Sequence, residues 1–167
     1  MAITFRRGTA ADVEAIAVLH HAVWLETQAP LQPEAVRRTR DIDFFRSRVA
    51  VFATPPLVAI DDSGTIVGFS GWDNHYIGQM FLSPAWRGQG VGTRLLAETE
   101  RLIAKSGSSH ARLVVIAGNH EARQFYEGCG WSVVSEQPLQ LDTFNGPVEV
   151  GAWHLSKTLA RPGQSGP

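Results

Sequence analysis

Apolar residues recur along this chain with strand-like and helix-like spacing in turn, and the changes of period mark its elements. Ile3 to Arg7 reads as a short strand, and Thr9 with Asp12 three places later is a helix-start pair. Val13, Ile16, Ala17 and Val23 then form one helical stripe. Leu31 to Val49, opened by Pro33, predicts a second helical region whose Arg37, Arg38, Arg40 and Arg46, mixed with Asp41 and Asp43, read as a solvated face. Leu57 to Ile60 and Thr65 to Trp72 flank Asp61-Asp62-Ser63-Gly64 as the arms of a hairpin, and Tyr76 to Leu82 is a further strand ended by Ser83-Pro84. Val91, Leu95, Leu96, Leu102 and Ile103 line a helix that stops near Ser106-Gly107. Arg112 to Ala117 is apolar enough to predict a strand covered on both faces. Asn119 caps a short helix carrying Ala122, Phe125 and Tyr126, ended by Gly128 and Gly130. Strands around Trp131 to Val134 and Val148 to Leu155 close the pattern. Strands alternating with helices, then a strand-rich end, predict an α/β protein with a mixed sheet.

Composition narrows the function classes. A chain of 167 residues, 44% hydrophobic, suits one domain, expected over residues 1–159, with residues 160–167 as a disordered tail. Fifteen basic against 16 acidic side chains give no overall pull toward nucleic acid or anionic lipid, so neither is expected as a partner. No apolar run approaches the roughly 20 residues of a membrane helix, and the start MAITFRRGTA is no secretory signal, so a cytoplasmic protein is expected. Cys129 is the single cysteine: it has no disulfide partner and no neighbours at metal-ligand spacing. No metal site is expected.

The segment Trp86-Arg-Gly-Gln-Gly-Val-Gly-Thr93 carries candidate chemistry. A strand running into a glycine-rich turn and a helix start collects unpaired amides and the positive end of the helix dipole, which favours an anion such as a phosphate or pyrophosphate. Glycine allows close approach to the main chain, and Arg87 adds a fixed charge. A nucleotide P-loop fails, since Gly90-Val91-Gly92-Thr93 lacks the lysine it requires. A dinucleotide fold fits poorly, because Gly88, Gly90 and Gly92 alternate in mid-chain.

The spacing Arg87-x-x-Gly90-x-Gly92 after a strand resembles the coenzyme A pyrophosphate loop of the GNAT superfamily of N-acetyltransferases. The block from Val114 through Asn119 and Phe125-Tyr126 to Gly130-Trp131 resembles a later motif of the same family. The resemblance runs diffusely over the rest of the chain. It implies the single-domain acyl-CoA N-acyltransferase fold, with a mostly antiparallel sheet flanked by helices, acetyl-CoA as co-substrate, and direct transfer to an amine in a ternary complex. Met80, Phe81 and Leu82 match the strand segment that serves the pantetheine arm and thioester. Arg87, Gly88, Gln89, Gly90, Val91, Gly92 and Thr93 match the pyrophosphate loop. Asn119 matches an asparagine beside the pantetheine arm, and Tyr126 the tyrosine that protonates the leaving thiolate. Asn119 as a plain cap and Tyr126 as a core residue remain alternatives, as does a plain tight turn for the glycines.

Many relatives place a carboxylate on the strand before the loop, but Tyr76-Ile-Gly-Gln-Met-Phe-Leu82 has none. The base is then a water chain or a neighbour: His75, whose ordinary pKa near ~6.5 suits the task, or Asp73 or Glu26, with His20 and His21 behind them. An acyl-cysteine route through Cys129 is disfavoured, as no histidine lies near it in sequence. For the acceptor, a small-molecule or peptide amine, the resemblance points to Trp24 through Pro33 and to Trp72 through His75. Trp24 and Trp72 are candidate walls or core residues, and Glu26 and Asp73 candidate holders of a cationic amine. A homodimer, a longer acyl donor and an alcohol acceptor are all compatible with the resemblance. The rival class is a non-catalytic acyl-CoA-binding or regulatory module.

Overall fold

The structure is a computed structural model that describes residues 2–52, 54–161 and 163. Its elements run β1 (Thr4–Arg7), α1 (Val13–Thr27), α2 (Glu34–Arg37), α3 (Ile42–Ala50), β2 (Leu57–Ile60), β3 (Ile66–Asp73) and β4 (Tyr76–Leu82). They continue as α4 (Val91–Lys105), β5 (His110–Ile116), α5 (His120–Gly128), β6 (Ser132–Ser135), β7 (Leu139–Leu141), β8 (Val148–Val150) and β9 (Ala152–Thr158). Seven strands form one sheet in the order β1-β2-β3-β4-β5-β9-β6, while β7 and β8 pair separately. Every neighbouring pair in the large sheet is antiparallel except β4–β5, which is parallel. The expected α/β class with a mostly antiparallel sheet flanked by helices is what the chain adopts.

The pattern succeeds where a helix or strand buries a clear stripe. Leu95, Leu96 and Ile103 of α4 are fully buried against Trp72, Ile77, Leu113 and Leu155. Each such side chain contributes about 1.5–3 kcal/mol. That packing anchors α4, and with it the glycine turn at its start. Ile16, Val23 and Trp24 of α1 and Phe45 and Val49 of α3 pack with Val58, Phe69 and Phe81 in a second cluster. At the chain's start Asp12 accepts from the Thr9 amide at 2.7 Å, as the helix-start pair requires, and Arg6 clamps the same carboxylate at 2.8 and 2.9 Å.

Three expectations need correction. The helical region from Leu31 to Val49 is two helices, because Asp41 takes an extended backbone and its carboxylate accepts from the Phe44 amide at 2.9 Å, capping a fresh start. The strand expected from Val148 to Leu155 is divided at Gly151: β8 pairs with the unforeseen short strand β7, and β9 with β5 and β6. Strand β5 is not covered on both faces. Ala111, Leu113 and Val115 are buried, but Val114 and Ile116 are half-buried in the wall of a cleft. The expected tail at 160–167 falls mostly outside the described residues.

The exposure of Val114 and Ile116 has a cause in β4. Opposite β3, Trp72 pairs with Ile77 and Gly71 with Gln79, so β4 carries one extra residue, Gly78. A bulge bends its strand and increases its twist, so β4 keeps its pairing with β3 through Leu82 while its other edge turns away from β5. Pairing of β4 with β5 stops there: Tyr76–Arg112 and Ile77–Leu113 are matched, and no pair follows. From Gly78 to Leu82 one edge of β4 faces an open gap.

Candidate active site

The gap and the glycine turn meet at one place. After Leu82 a short 3-10 turn leads to Arg87, whose amide bonds to Pro84 O at 3.2 Å. The next main-chain N–H with a main-chain acceptor is that of Arg94, bonded to Gly90 O at 3.1 Å. The six N–H groups from Gly88 to Thr93 therefore have no main-chain acceptor among the described residues. Gly88 and Gly90 hold φ at +69° and +80°, where an L side chain is strained, and a Cβ on either would meet nothing within 4 Å. The backbone there is bare and open. Unpaired amides at the start of the 15-residue helix α4 present partial positive charge to an anion.

The cleft occupies about 710 Å³ and runs from this turn along the β4–β5 gap. One half is lined by Met80 to Leu82, Arg87, Gly88, Gly90, Gly92, Thr93, Asn119 and Tyr126. Asn119 caps α5, its Oδ1 accepting from the Ala122 amide at 3.2 Å; this leaves the carboxamide N–H groups for a ligand. Phe125 closes against Gly92, where a Cβ would lie 3.4 Å from its ring, so glycine there lets α5 approach α4. Tyr126 packs edge-on against Phe125 and Trp131, and its hydroxyl has no partner among the described residues. Burial pushes the phenol's pKa up, so it remains protonated at neutral pH.

The other half lies under α1 and α3. His20 is 5% exposed and packs at 4.1 Å from the Phe81 ring and 4.6 Å from Phe45. Burial, helped by the positive charge of Arg48 and by His21, pushes its pKa down to about 3, so the ring is neutral at physiological pH. Trp24, Gln32, Arg40, Phe44, Arg48, Gln79 and the β7 segment complete this half.

Comparison with known proteins agrees with this geometry. Residues 16–131 match the family model described as Acetyltransferase (GNAT) family. The chain belongs to the GNAT acetyltransferase family. Membership makes it an acetyl-CoA-dependent N-acetyltransferase, with acetyl-CoA as the donor. Thialysine N-epsilon-acetyltransferase of Mus musculus is 27% identical over 123 residues, 67% of this chain and 71% of the mouse protein. Its Bos taurus counterpart is 29% identical over 70 residues, only 41% of either chain. The fold is also that of yncA from Salmonella typhimurium, solved with acetyl-CoA: TM-score 0.68 at 18% identity, covering 100% of this chain and 98% of that one.

The acetyltransferase brings some of its sequence-marked residues together and leaves others apart. Met80, Phe81, Leu82, Arg87, Gly88, Gly90, Gly92, Thr93, Asn119, Tyr126 and Trp24 line the one cleft. Gln89 turns away to donate to Ala85 O at 2.9 Å, and the Val91 side chain packs with Ile3, Ala59 and Val67, leaving those two positions only their main chain to offer. His75 is not in the cleft: the tight turn at Asn74, with φ +52°, carries it to the end of the sheet, 4.5 Å from His110. Trp72 is buried on the α4 side under the Arg7 guanidinium, and Asp73 is exposed on the same turn, so neither lines the cleft. Glu26 accepts from Arg87 at 2.8 Å, so it is engaged before any amine arrives.

Arg40, Phe44, Arg48, Gln32 and Gln79 also line the cleft, and the pattern reading did not mark them as candidates. Arg40, Phe44 and Arg48 recur at intervals of four, which puts them on one helical face if α3 is extended back by a turn. That spacing was the available signal. It was hidden by the surrounding Asp and Arg residues, which suggested a solvated surface.

Proposed function

We propose that residues 1–159 form one unit that moves the acetyl group of acetyl-CoA directly onto an amine, both bound at once. The observation that carries this is the run of six unpaired amides from Gly88 to Thr93 opening into the β4–β5 gap. The turn has the chemistry to hold a pyrophosphate, and the gap offers unpaired strand groups to an amide-bearing arm. Acetyl-CoA supplies an activated acyl carbon with a thiolate leaving group. In the transfer a C–N bond forms, the C–S bond breaks, the amine loses a proton and the sulfur gains one.

This chain's residues divide those tasks. Main-chain N–H groups along the open edge of β4 are placed to donate to the thioester oxygen as negative charge develops; losing such a donor typically costs about 3–4 kcal/mol. Tyr126, kept protonated by burial, donates its O–H toward the departing sulfur. The amine's proton leaves by water, and His20, a sequence-marked base candidate, lines the cleft. With its pKa near 3, His20 is a weak base that stays neutral, so it serves as a hydrogen-bond acceptor across the working pH range.

Calorimetry with acetyl-CoA, together with release of free thiol in the presence of a peptide N-terminus, an aminoglycoside, a polyamine and amino acids, tests the proposal. Binding plus amine-dependent thiol release is expected. Binding without release for every amine would make the protein an acyl-CoA-binding module, and no binding would remove the reading.

A further inference from the structure

The acceptor half of the cleft holds acceptor atoms and cations that the protein itself leaves unmatched. His20 Nδ1, Gln32 Oε1 and Gln79 Oε1 are buried without a hydrogen-bond partner among the described residues, and all three side chains line this cleft. His20 is 5% and Gln32 7% exposed, so water does not readily satisfy them. The two carboxamide oxygens are acceptors, and the imidazole nitrogen is one when the ring proton sits on Nε2. Left unpaired they are costly, and a ligand rich in N–H groups relieves that cost.

Beside them stand charges of the opposite demand. Three arginines line the cleft: Arg87 is paired with Glu26, while Arg40 and Arg48 form no ion pair among the described residues. Their guanidinium carbons lie 4.2 and 5.7 Å from the centroid of the Phe44 ring, which gathers both around one aromatic side chain. Arg40 is half-buried and, among the described residues, donates only to the Thr39 hydroxyl and to Asp142 O, at 3.3 Å for the latter. Arg48 makes no hydrogen bond among the described residues and is exposed at its end of α3. The carboxylates of this cleft are Asp142, close enough to Arg40 to act on its charge without forming an ion pair, and Glu121 at the start of α5 in the cofactor half.

Resting on the acetyltransferase reading, we propose that the acceptor is a small amine that also carries a compact oxyanion, a carboxylate or a phosphonate. Arg40 and Arg48 hold the oxyanion, and the Gln32, Gln79 and His20 acceptors receive the amine's N–H groups. Guanidinium groups match planar or tetrahedral oxyanions through paired N–H donors, and the Phe44 ring keeps both guanidinium groups oriented. Polycationic acceptors such as polyamines meet two like charges here, only one of them with a carboxylate nearby, and are disfavoured.

The test uses free L-amino acids and their carboxamides, an aminoalkylphosphonate, and spermidine, with acetyl-CoA held constant. Oxyanion-bearing amines should show kcat/KM at least about tenfold above their neutral counterparts. Comparison of carboxylate with phosphonate identifies which anion is preferred. Arg48→Gln, on an exposed side chain without a protein bond to lose, should raise KM for the oxyanion-bearing amine by about tenfold, with kcat nearly unchanged. It should leave acetyl-CoA affinity and KM for the carboxamide as they were. Arg40→Gln should act in the same direction. Carboxamides or spermidine accepted as well as the acids, or an acid KM indifferent to Arg48→Gln, overturns the inference while thiol release still supports the acetyltransferase. Failure to bind acetyl-CoA strikes the underlying reading instead.

Discussion

Arg87 donates to Glu26 Oε1 at 2.8 Å, joining the head of the glycine turn to the last turn of α1. The same guanidinium reaches Leu82 O at 3.3 Å, so it is held in place before any phosphate arrives. Glu26 competes with a bound anion for this cation. Glu26→Gln should therefore tighten acetyl-CoA binding by a few-fold, whereas Arg87→Gln should weaken it by about tenfold and flatten its salt dependence. Calorimetry at low and high ionic strength checks both signs.

Gly90→Glu places a carboxylate beside the unpaired amides and should abolish acetyl-CoA binding. Open space around Gly90 rules out a packing clash, but the residue's φ of +80° costs any L side chain about 1–2 kcal/mol. Gly90→Ala carries that strain without the charge. It should fold with a lowered Tm and keep measurable acetyl-CoA affinity, so a loss of binding equal to that of Gly90→Glu would point to strain and away from charge.

Removing the Tyr126 hydroxyl breaks no protein hydrogen bond among the described residues, so Tyr126→Phe should leave Tm nearly unchanged. Turnover should fall by about 10² or more with acetyl-CoA affinity retained. Since burial raises the phenol's pKa, no rate loss from its ionisation is expected between neutral pH and pH 9. A Tyr126→Phe enzyme with unaltered kcat ends the proton-donor role.

His20 and Asp12 make stability depend on pH in windows that overlap between about 3 and 3.8. His20 has its pKa depressed from 6.5 to about 3, so below 6.5 the unfolded chain binds a proton that the fold refuses. Stability contributed by keeping His20 neutral is full above pH 6.5 and is lost as pH falls toward 3. Asp12 is held down from 3.8 to about 2, chiefly by the Arg6 hydrogen bond, so its contribution is present above 3.8 and lost as pH falls toward 2. Between pH 7 and about 5, denaturant melts should lose most of their slope in His20→Leu. Asp12→Asn should alter only the more acid part, while lowering stability at neutral pH by about 1 kcal/mol through the weakened helix start.

Much of this was legible in the sequence because local rules suffice for it. Tyr76 to Leu82, the glycine turn and α4 lie where the apolar pattern put them, since a strand, a positive-φ turn and an amphipathic helix each depend on neighbours in sequence. The cleft's acceptor half was not legible. His20 meets Phe81 across 61 residues of chain and Arg40 meets Asp142 across 102, contacts that no local period encodes. His75 misled for the opposite reason: it adjoins the right strand in sequence, yet one tight turn sends it to the sheet's far end. The helix break at Asp41 was masked because an aspartate within a charged stretch reads equally as surface or as cap.

In the sheet ladder, Tyr76–Arg112 and Ile77–Leu113 are the only pairs among the described residues that join β1–β4 to the strands beyond. An occupant laid in the slit would serve as mortar between the two slabs, adding contacts where the ladder has none. Spontaneous loosening of the empty enzyme would begin at that joint, behind the bulge at Gly78.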